Sequence, residues 1–275
     1  MNGEGAVAAD PRLTAEVAEH SHPLLFATVS GAHLYGFPSP DSDFDLRGSH
    51  VLSVDECLGL SEPAETITLS HVRDGLEVDL VTHDARKFFT LLLRNNGYVL
   101  EQLYSPLVVF TTWAHQELKE IARGCITRRC LRHYRGFARN QWEMFARESP
   151  RRIKTLLYVY RVLLTGIHMM RTGEVEGNLL KCNADMGLSF IDDLVARKME
   201  GAETSALSEA DLSFHQSQVR ELQGVLADAA STSRLPQEPT VRPALNDLLL
   251  RIRREWPAGR TADSQVRSDP KIGYD

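Results

Sequence analysis

The sequence predicts an α+β fold: a small mixed β-sheet with flanking helices, followed by a helical domain. Between residues 24 and 84, short apolar or alternating runs are separated by glycine- and proline-containing turns, as expected of strands. Beyond Thr112 the strand signals nearly vanish and apolar residues recur at helical spacing. The predicted division is an N-terminal extension at 1–19, a sheet domain at 20–110, a helical domain at 111–255 and a tail at 256–275.

The first two predicted strands flank a glycine turn. The run HPLLFATVS is apolar and stops at Gly31, which is typical of a strand that enters a tight turn. The next run, DFDLRGSHV, alternates, with Phe44 and Leu46 on one face and Asp43 and Asp45 on the other.

The third and fourth predicted strands form a hairpin. ETITLSHV and LEVDLVTH are joined by RDG, a hairpin turn signal. Leu76, Val78 and Leu80 then share one face of the second strand, and Glu77 and Asp79 lie on the opposite face.

Helical spacing begins at Asp84, which is an expected N-cap residue. Proline, glycine and a polar linker separate the helical segments that follow. These segments are predicted at 113–147, 151–172, 176–200, 207–230 and 240–255.

The bulk composition is that of a soluble protein with a substantial core, since 43% of the 275 residues are hydrophobic and 25% are charged. No apolar run reaches the roughly 18 residues of a membrane helix, and the acidic N-terminus lacks the order of a secretory signal. The four cysteines match no zinc or redox spacing. We therefore expect a cytoplasmic protein with reduced thiols and no membrane contact.

Asp43 and Asp45 are two residues apart on a strand, so their side chains point the same way and repel each other. A divalent cation removes that conflict, and Mg²⁺ suits the site because it takes one or two protein carboxylates and completes its shell with water and phosphate oxygens. A neighbouring strand is expected to supply a third carboxylate, from Asp79 or, failing that, Glu77. The alternative is a solvated strand edge or turn, because SPDSD is also good turn sequence.

The stretch SGAHLYGFPSPDSDFDLRG resembles the signature of the DNA polymerase beta-like nucleotidyltransferase superfamily, in which a glycine turn precedes Asp-x-Asp. More narrowly, G-x-x-x-Y-G followed by S-D-x-D-x-R-G resembles a bacterial and phage group suggested to act in RNA repair. The resemblance continues into VDLVTHDARKFFTLLLRNNGYVLEQLYSP and, more weakly, KTLLYVYRVLLTGIHMMRTGEV, and so covers most of residues 25–175.

The resemblance implies roles for individual residues. Gly31 becomes the turn glycine, Ser30 and Ser42 lie near the triphosphate, and the metal ligands and catalytic carboxylates are Asp43, Asp45 and Asp79. One position departs from the family pattern, because Ala32 replaces the usual serine after the glycine. Backbone donors survive that change, so weakened nucleotide binding is expected. Arg47 either contacts phosphate or forms a salt bridge that holds Asp45.

The middle of the chain is basic. Residues 1–110 hold 6 Lys or Arg against 16 Asp or Glu, whereas residues 111–173 hold 13 against 4. Lys154, Tyr158 and Arg161 share one stripe of a predicted helix, which suits a triphosphate and a stacked base. Snorkelling surface side chains are the alternative. A second basic cluster at 128–139 suits an RNA end, or is a plain basic helix.

The sequence therefore predicts an enzyme that uses two Mg²⁺ ions to move an NMP from an NTP, such as ATP, to a hydroxyl acceptor with release of pyrophosphate. Asp79 would hold the ion that activates the acceptor hydroxyl, or serve as its base. An RNA end is the favoured acceptor. The alternatives are a small-molecule nucleotidyltransferase of the antibiotic-modifying kind and an inactive NTP- or RNA-binding module. P-loop and dinucleotide-binding signatures are absent.

Overall fold

The computed structural model describes residues 8, 10–40, 42–200 and 209–255. The predicted tail, most of residues 1–9 and Asp41 lie outside the described residues. The strands are β1 (Leu24–Val29), β2 (Phe44–His50), β3 (Thr66–Arg73), β4 (Leu76–Asp84) and β5 (Val108–Phe110). The helices in the first part are α1 (Pro11–Ala18), α2 (Gly31–Tyr35), α3 (Val54–Leu58), α4 (Ala85–Leu93) and α5 (Gly97–Tyr104). Those that follow are α6 (Trp113–Ala122), α7 (Cys130–Arg147), α8 (Ile153–Thr172), α9 (Leu179–Ala184), α10 (Ser189–Met199), α11 (Glu209–Thr232) and α12 (Arg242–Glu255).

The strands form a mixed sheet in the order β3-β4-β2-β1-β5. Strand β1 runs antiparallel to β2 and β5, and β3 runs antiparallel to β4. The central pair, β2 and β4, is parallel. The predicted α+β fold is confirmed, since a small mixed sheet is followed by helices.

The predicted hairpin forms across Asp74 and Gly75, both of which have positive φ. On β4, Leu76, Val78 and Leu80 are buried, as the alternation predicted. Alternate residues of this strand therefore face the core, and the intervening carboxylates do not.

Several elements differ from the prediction. The segment predicted as one helix over 176–200 forms two helices, α9 and α10, with a break at residues 185–188. Strand β5 is not predicted because three residues are too short to show a period. The segment predicted as one helix over 113–147 is interrupted after Arg123–Cys125, a short 3₁₀ turn. Tertiary bonds hold the interruption: Asn95 Nδ2 donates to Thr127 Oγ1 over 3.0 Å, and the Arg128 amide donates to the Pro236 carbonyl over 2.9 Å.

The largest apolar cluster includes Val29 and Leu46 from the sheet and Leu156 and Leu163 from α8. Sheet and helices thus pack around shared apolar side chains, and the division at residue 110 stays a prediction. No helix within the described ranges is long and apolar enough to cross a membrane.

Candidate active site

The glycine turn after β1 lies directly against β2. Gly31 has φ +60°, and a Cβ atom placed on it would lie 1.8 Å from Oδ2 of Asp45. The amide of Ser30 donates to the Asp45 carbonyl over 2.8 Å, which fixes the turn to the second strand. This position therefore needs glycine, both for its backbone conformation and for the close approach of the carboxylate.

Asp45 and Asp79 come together through strand register. They are Cα partners on the parallel strands β2 and β4. Nη2 of Arg47 donates to Asp45 Oδ1 over 2.6 Å and to Asp79 Oδ2 over 2.9 Å, so one guanidinium nitrogen bridges both carboxylates. Nε of Arg47 donates to the Tyr98 hydroxyl over 3.0 Å. Glu77 is exposed and lies outside this pairing.

The local charge favours a cation. Burial raises the pKa of Asp45, the neighbouring charges of Asp43 and Asp79 raise it further, and Arg47 and Lys154 oppose the rise. The charges of Asp43 and Asp79 thus make ionisation of Asp45 less favourable.

The carboxylates at the start of β2 and on β4 are oxygen donors of the kind that magnesium binds. Within residues 10–40, 42–200 and 209–255, no three His, Cys, Asp or Glu side chains are gathered closely enough to enclose a metal ion by themselves. Magnesium does not require such a cage, because one or two carboxylates suffice when water and phosphate oxygens complete its shell. Asp45 and Asp79 converge on one nitrogen atom, and Asp43 acts electrostatically on Asp45, so this donor set fits Mg²⁺.

The two serines predicted to lie near the triphosphate flank the carboxylates. Ser30 is buried next to Tyr35. Oγ of Ser42 accepts a hydrogen bond from the Ser39 amide over 2.9 Å, which tightens the loop before β2. Nζ of Lys198, a fully buried lysine on α10, donates to Oγ of Ser39. The helical part of the chain therefore holds the loop that leads to Asp43.

The α8 stripe faces the carboxylates. Burial raises the pKa of Asp45 and the charge of Lys154 opposes that rise, while burial and the charge of Asp45 raise the pKa of Tyr158 to about 12. Arg161 is only 2% exposed, and its Nη1 donates to the buried carboxylate of Glu101. Its guanidinium also lies 4.0 Å from the ring centroid of Tyr35. Among the residues that the structure describes, Lys154 forms no ion pair with a buried carboxylate, whereas the charge of Arg161 is neutralised by Glu101.

A cleft of about 370 Å³ opens beside the carboxylates. The residues that line it are Gly31, Tyr35, Asp45, Asn96, Tyr98, His133, Phe137, Tyr158 and Arg161. Sequence reasoning did not predict Asn96, Tyr98 and Phe137, and it read His133 only as part of a basic cluster. The spacing of His133 and Phe137, four residues apart within a helical segment, is a signal from which their shared face could have been predicted.

Comparison with known proteins gives a consistent result. The family described as the RNA repair pathway DNA polymerase beta family matches residues 7–251. An uncharacterized protein of Methanocaldococcus jannaschii is 33% identical over 158 residues, which are 56% of this chain and 63% of that protein. The uncharacterized protein YcgL of Bacillus subtilis is 25% identical over 246 residues, 86% of this chain and 92% of that one. The chain thus spans less than two thirds of the archaeal relative.

A solved nucleotidyltransferase-like protein from Exiguobacterium sibiricum aligns over 83% of this chain and 75% of that one, with 12% identity and a TM-score of 0.32. The family match extends over the glycine turn, the paired aspartates and the helices that line the cleft. The chain therefore belongs to the RNA repair pathway DNA polymerase beta family.

Proposed function

We propose that the protein transfers an NMP from an NTP to the hydroxyl of an RNA end, with release of pyrophosphate. The observation that carries the proposal is the convergence of Asp45 and Asp79 on Arg47 at the mouth of a cleft that begins at Gly31. Phosphoryl-group chemistry of this kind depends on positioning and on neutralisation of charge. The carboxylates, the glycine turn and the cleft supply the parts for both.

Asp43, Asp45 and Asp79 would hold two magnesium ions. Bound there, the ions would act as Lewis acids that stabilise negative charge on the attacking and leaving oxygens. Asp79 lies beside Asp45 on the neighbouring strand and would orient the acceptor hydroxyl or accept its proton.

Arg47 is a positioning residue in this proposal. Its bonds to Asp45, Asp79 and Tyr98 fix both carboxylates relative to one wall of the cleft. Its Nη1 also donates to the carbonyls of Leu46 and Asp79, and a guanidinium with these bonds is held too firmly to follow a phosphate through the reaction. Of the two sequence-based readings of Arg47, the salt bridge is thus the one that its contacts support.

The triphosphate would lie between the glycine turn and α8. Ser30, Gly31 and the loop at Ser42 border the carboxylates on one side, and Lys154 supplies positive charge from the other. A charge-assisted hydrogen bond from Lys154 to phosphate is worth about 1.5–3 kcal/mol. Lys154→Ala should therefore lower kcat/KM for the NTP by about 10- to 150-fold.

The RNA acceptor is supported by the family description and by the charge of α7. Arg132, Arg135 and Arg139 are exposed on this helix at offsets 0, 3 and 7, which places them on one face. The same helix contributes His133 and Phe137 to the cleft. A strand whose end enters the cleft can thus neutralise its phosphates on the adjoining arginine face.

The test is incubation with each α-labelled NTP and Mg²⁺, with pooled cellular RNA in one arm and a small-molecule extract in the other. We expect label on RNA, equimolar pyrophosphate, and loss of both with EDTA or in the Asp43→Asn, Asp45→Asn variant. Label on a small molecule alone would refute the RNA acceptor. Absence of pyrophosphate with every NTP and acceptor would refute the transfer reaction.

A further inference from the structure

The part of the cleft beyond Asp45 is walled by rings. Tyr35, Tyr98, His133, Phe137 and Tyr158 all border it, and several different segments of the chain supply them. Aromatic walls at this density suit a flat, apolar-faced ligand better than a polyphosphate.

His133 and Phe137 are arranged as one platform. They lie one turn apart on α7, with ring planes inclined by 9° and centroids 6.0 Å apart. Gly97 on α5 leaves room for the side chains of α7, because a Cβ atom placed on it would lie 2.7 Å from Cδ2 of His133 and 2.6 Å from Cζ of Tyr134. Burial, and secondarily the charge of Arg161, lower the pKa of His133 to about 4. The imidazole is therefore neutral at neutral pH and offers an uncharged face.

Among the nine residues that line the cleft, the single permanent cation is Arg161. Its guanidinium is paired with Glu101, and both side chains are at most 3% exposed. Asp45 adds a negative charge to the same cleft. The residues that line the cleft therefore offer no net positive charge to bind a triphosphate, whereas Lys154 does.

Asn96 adds a directional polar group. Its Oδ1 accepts the amide of Tyr98 over 2.9 Å as the N-cap of α5, and its Nδ2 has no acceptor among the described residues. A donor fixed at the rim of a ring-walled pocket can read an acceptor on the edge of a base.

We infer that the nucleobase of the incoming nucleotide stacks on His133 and Phe137, with Asn96 at its edge, while Lys154 and the glycine turn bind the triphosphate. This rests on the proposed function, because Asp45 fixes where the α-phosphate lies. It assigns Arg161 to the wall of the base pocket and not to the phosphates.

The test separates base from phosphate. Calorimetry with Mg²⁺ would measure the Kd of the α,β-methylene analogues of the four NTPs, which cannot be turned over, and the Kd of inorganic tripolyphosphate, which has no base. In Phe137→Ala, we expect analogue binding to weaken about 5- to 150-fold, as for the loss of a stacked base. Tripolyphosphate binding should stay within about twofold of wild type. Phe137→Tyr should restore analogue binding.

Two control variants complete the design. Trp142→Leu changes a half-buried aromatic of α7 that does not line the cleft, and it should leave both constants unchanged. Lys154→Ala should weaken both ligands to a similar extent.

The outcome is decided by the difference between the two ligands. The base pocket would be refuted if Phe137→Ala weakened both ligands equally or left analogue binding unchanged. It would also be refuted if the wild-type protein bound none of the analogues. A protein that binds analogues in this pattern but releases no pyrophosphate from NTPs would retain the pocket and refute the proposed transfer.

Discussion

The buried pair of Arg161 and Glu101 gives the most direct test of how the cleft is built. Their side chains are 3% and 2% exposed, and Nη1 of Arg161 donates to the Glu101 carboxylate. Arg161→Met removes the cation and leaves a buried carboxylate without its partner. Removal of one member of a buried pair costs about 3–5 kcal/mol. That is a large part of the roughly 5–15 kcal/mol that holds a domain folded.

The loss should depend on pH. Burial raises the pKa of Glu101, and Arg161 opposes that rise, so the pKa climbs further in Arg161→Met. Between the unfolded pKa near 4.5 and this higher folded value, the folded state binds more protons than the unfolded state. The variant is therefore most stable below about pH 4.5 and loses stability as pH rises through the folded pKa, with a larger deficit at about pH 8 than at about pH 5.

Urea unfolding of four proteins would measure this: wild type, Arg161→Met, Glu101→Met and the double variant. Each single variant should lose about 3–5 kcal/mol at about pH 8, whereas the double variant should return to within about 1 kcal/mol of wild type, because no unpaired buried charge remains. Tripolyphosphate binding to the folded double variant should equal that of wild type.

Two results would refute the reasoning. If Arg161→Met unfolded at the wild-type urea concentration, the pair would carry no stability. If the double variant were stable but bound tripolyphosphate about ten or more times more weakly, Arg161 would contact phosphate, as the sequence first suggested.

Three further predictions concern the paired aspartates, the glycine turn and the buried histidines. Asp43→Asn with Asp45→Asn should abolish transfer and leave the metal-free Tm unchanged or raised. The reason is that repulsion between the carboxylates is relieved, while the amide that replaces the Asp45 carboxylate keeps an oxygen to accept from Arg47. A large fall in Tm would indicate a structural role for the pair. Gly31→Ala should reduce activity at least about tenfold, because the added methyl group displaces the Asp45 carboxylate. Gly75→Ala is the control: Gly75 also has positive φ but has open space around it, so this variant should lose only about 1–2 kcal/mol of stability. Equal activity in the two variants would contradict this. Burial lowers the pKa of His50 to about 3 and of His115 to about 4. The free energy of unfolding should therefore fall by about 1 kcal/mol per histidine for each pH unit below about pH 6.5. His115→Gln should show a shallower fall of Tm with decreasing pH.

Local chemistry explains which elements could be predicted. The turn at Asp74 and Gly75, the alternation of β4 and the N-cap at Asp84 are each determined by neighbours in sequence, and each forms as predicted. The interruption after Cys125 depends instead on bonds to Asn95 and Pro236, which no periodicity reveals. Tertiary contacts decide such boundaries.

The candidate site divides in the same way. Gly31, Asp43 and Asp45 belong to one short motif, so their proximity could be predicted from spacing. Asp79 could be selected over Glu77 only by resemblance, and the register of β2 with β4 now pairs it with Asp45. Arg161 illustrates the limit: its stripe was predicted, but its partner Glu101 lies 60 residues away on another helix.

Arg47 accounts for why alternating aspartates can be tolerated at the end of a buried strand. A file of carboxylates repels itself, and the pKa of Asp45 is raised by burial and by its neighbours. One guanidinium nitrogen, shared between Asp45 and Asp79, draws the two strands' carboxylates together, and the charge of Lys154 adds to its effect on Asp45. Each carboxylate still has a second oxygen, and the Asp45 Oδ2 atom lies at the glycine turn. Arg47 therefore stabilises the carboxylates through Asp45 Oδ1 and Asp79 Oδ2, and under the proposed function the Asp45 Oδ2 atom at the glycine turn is the one available to a metal ion.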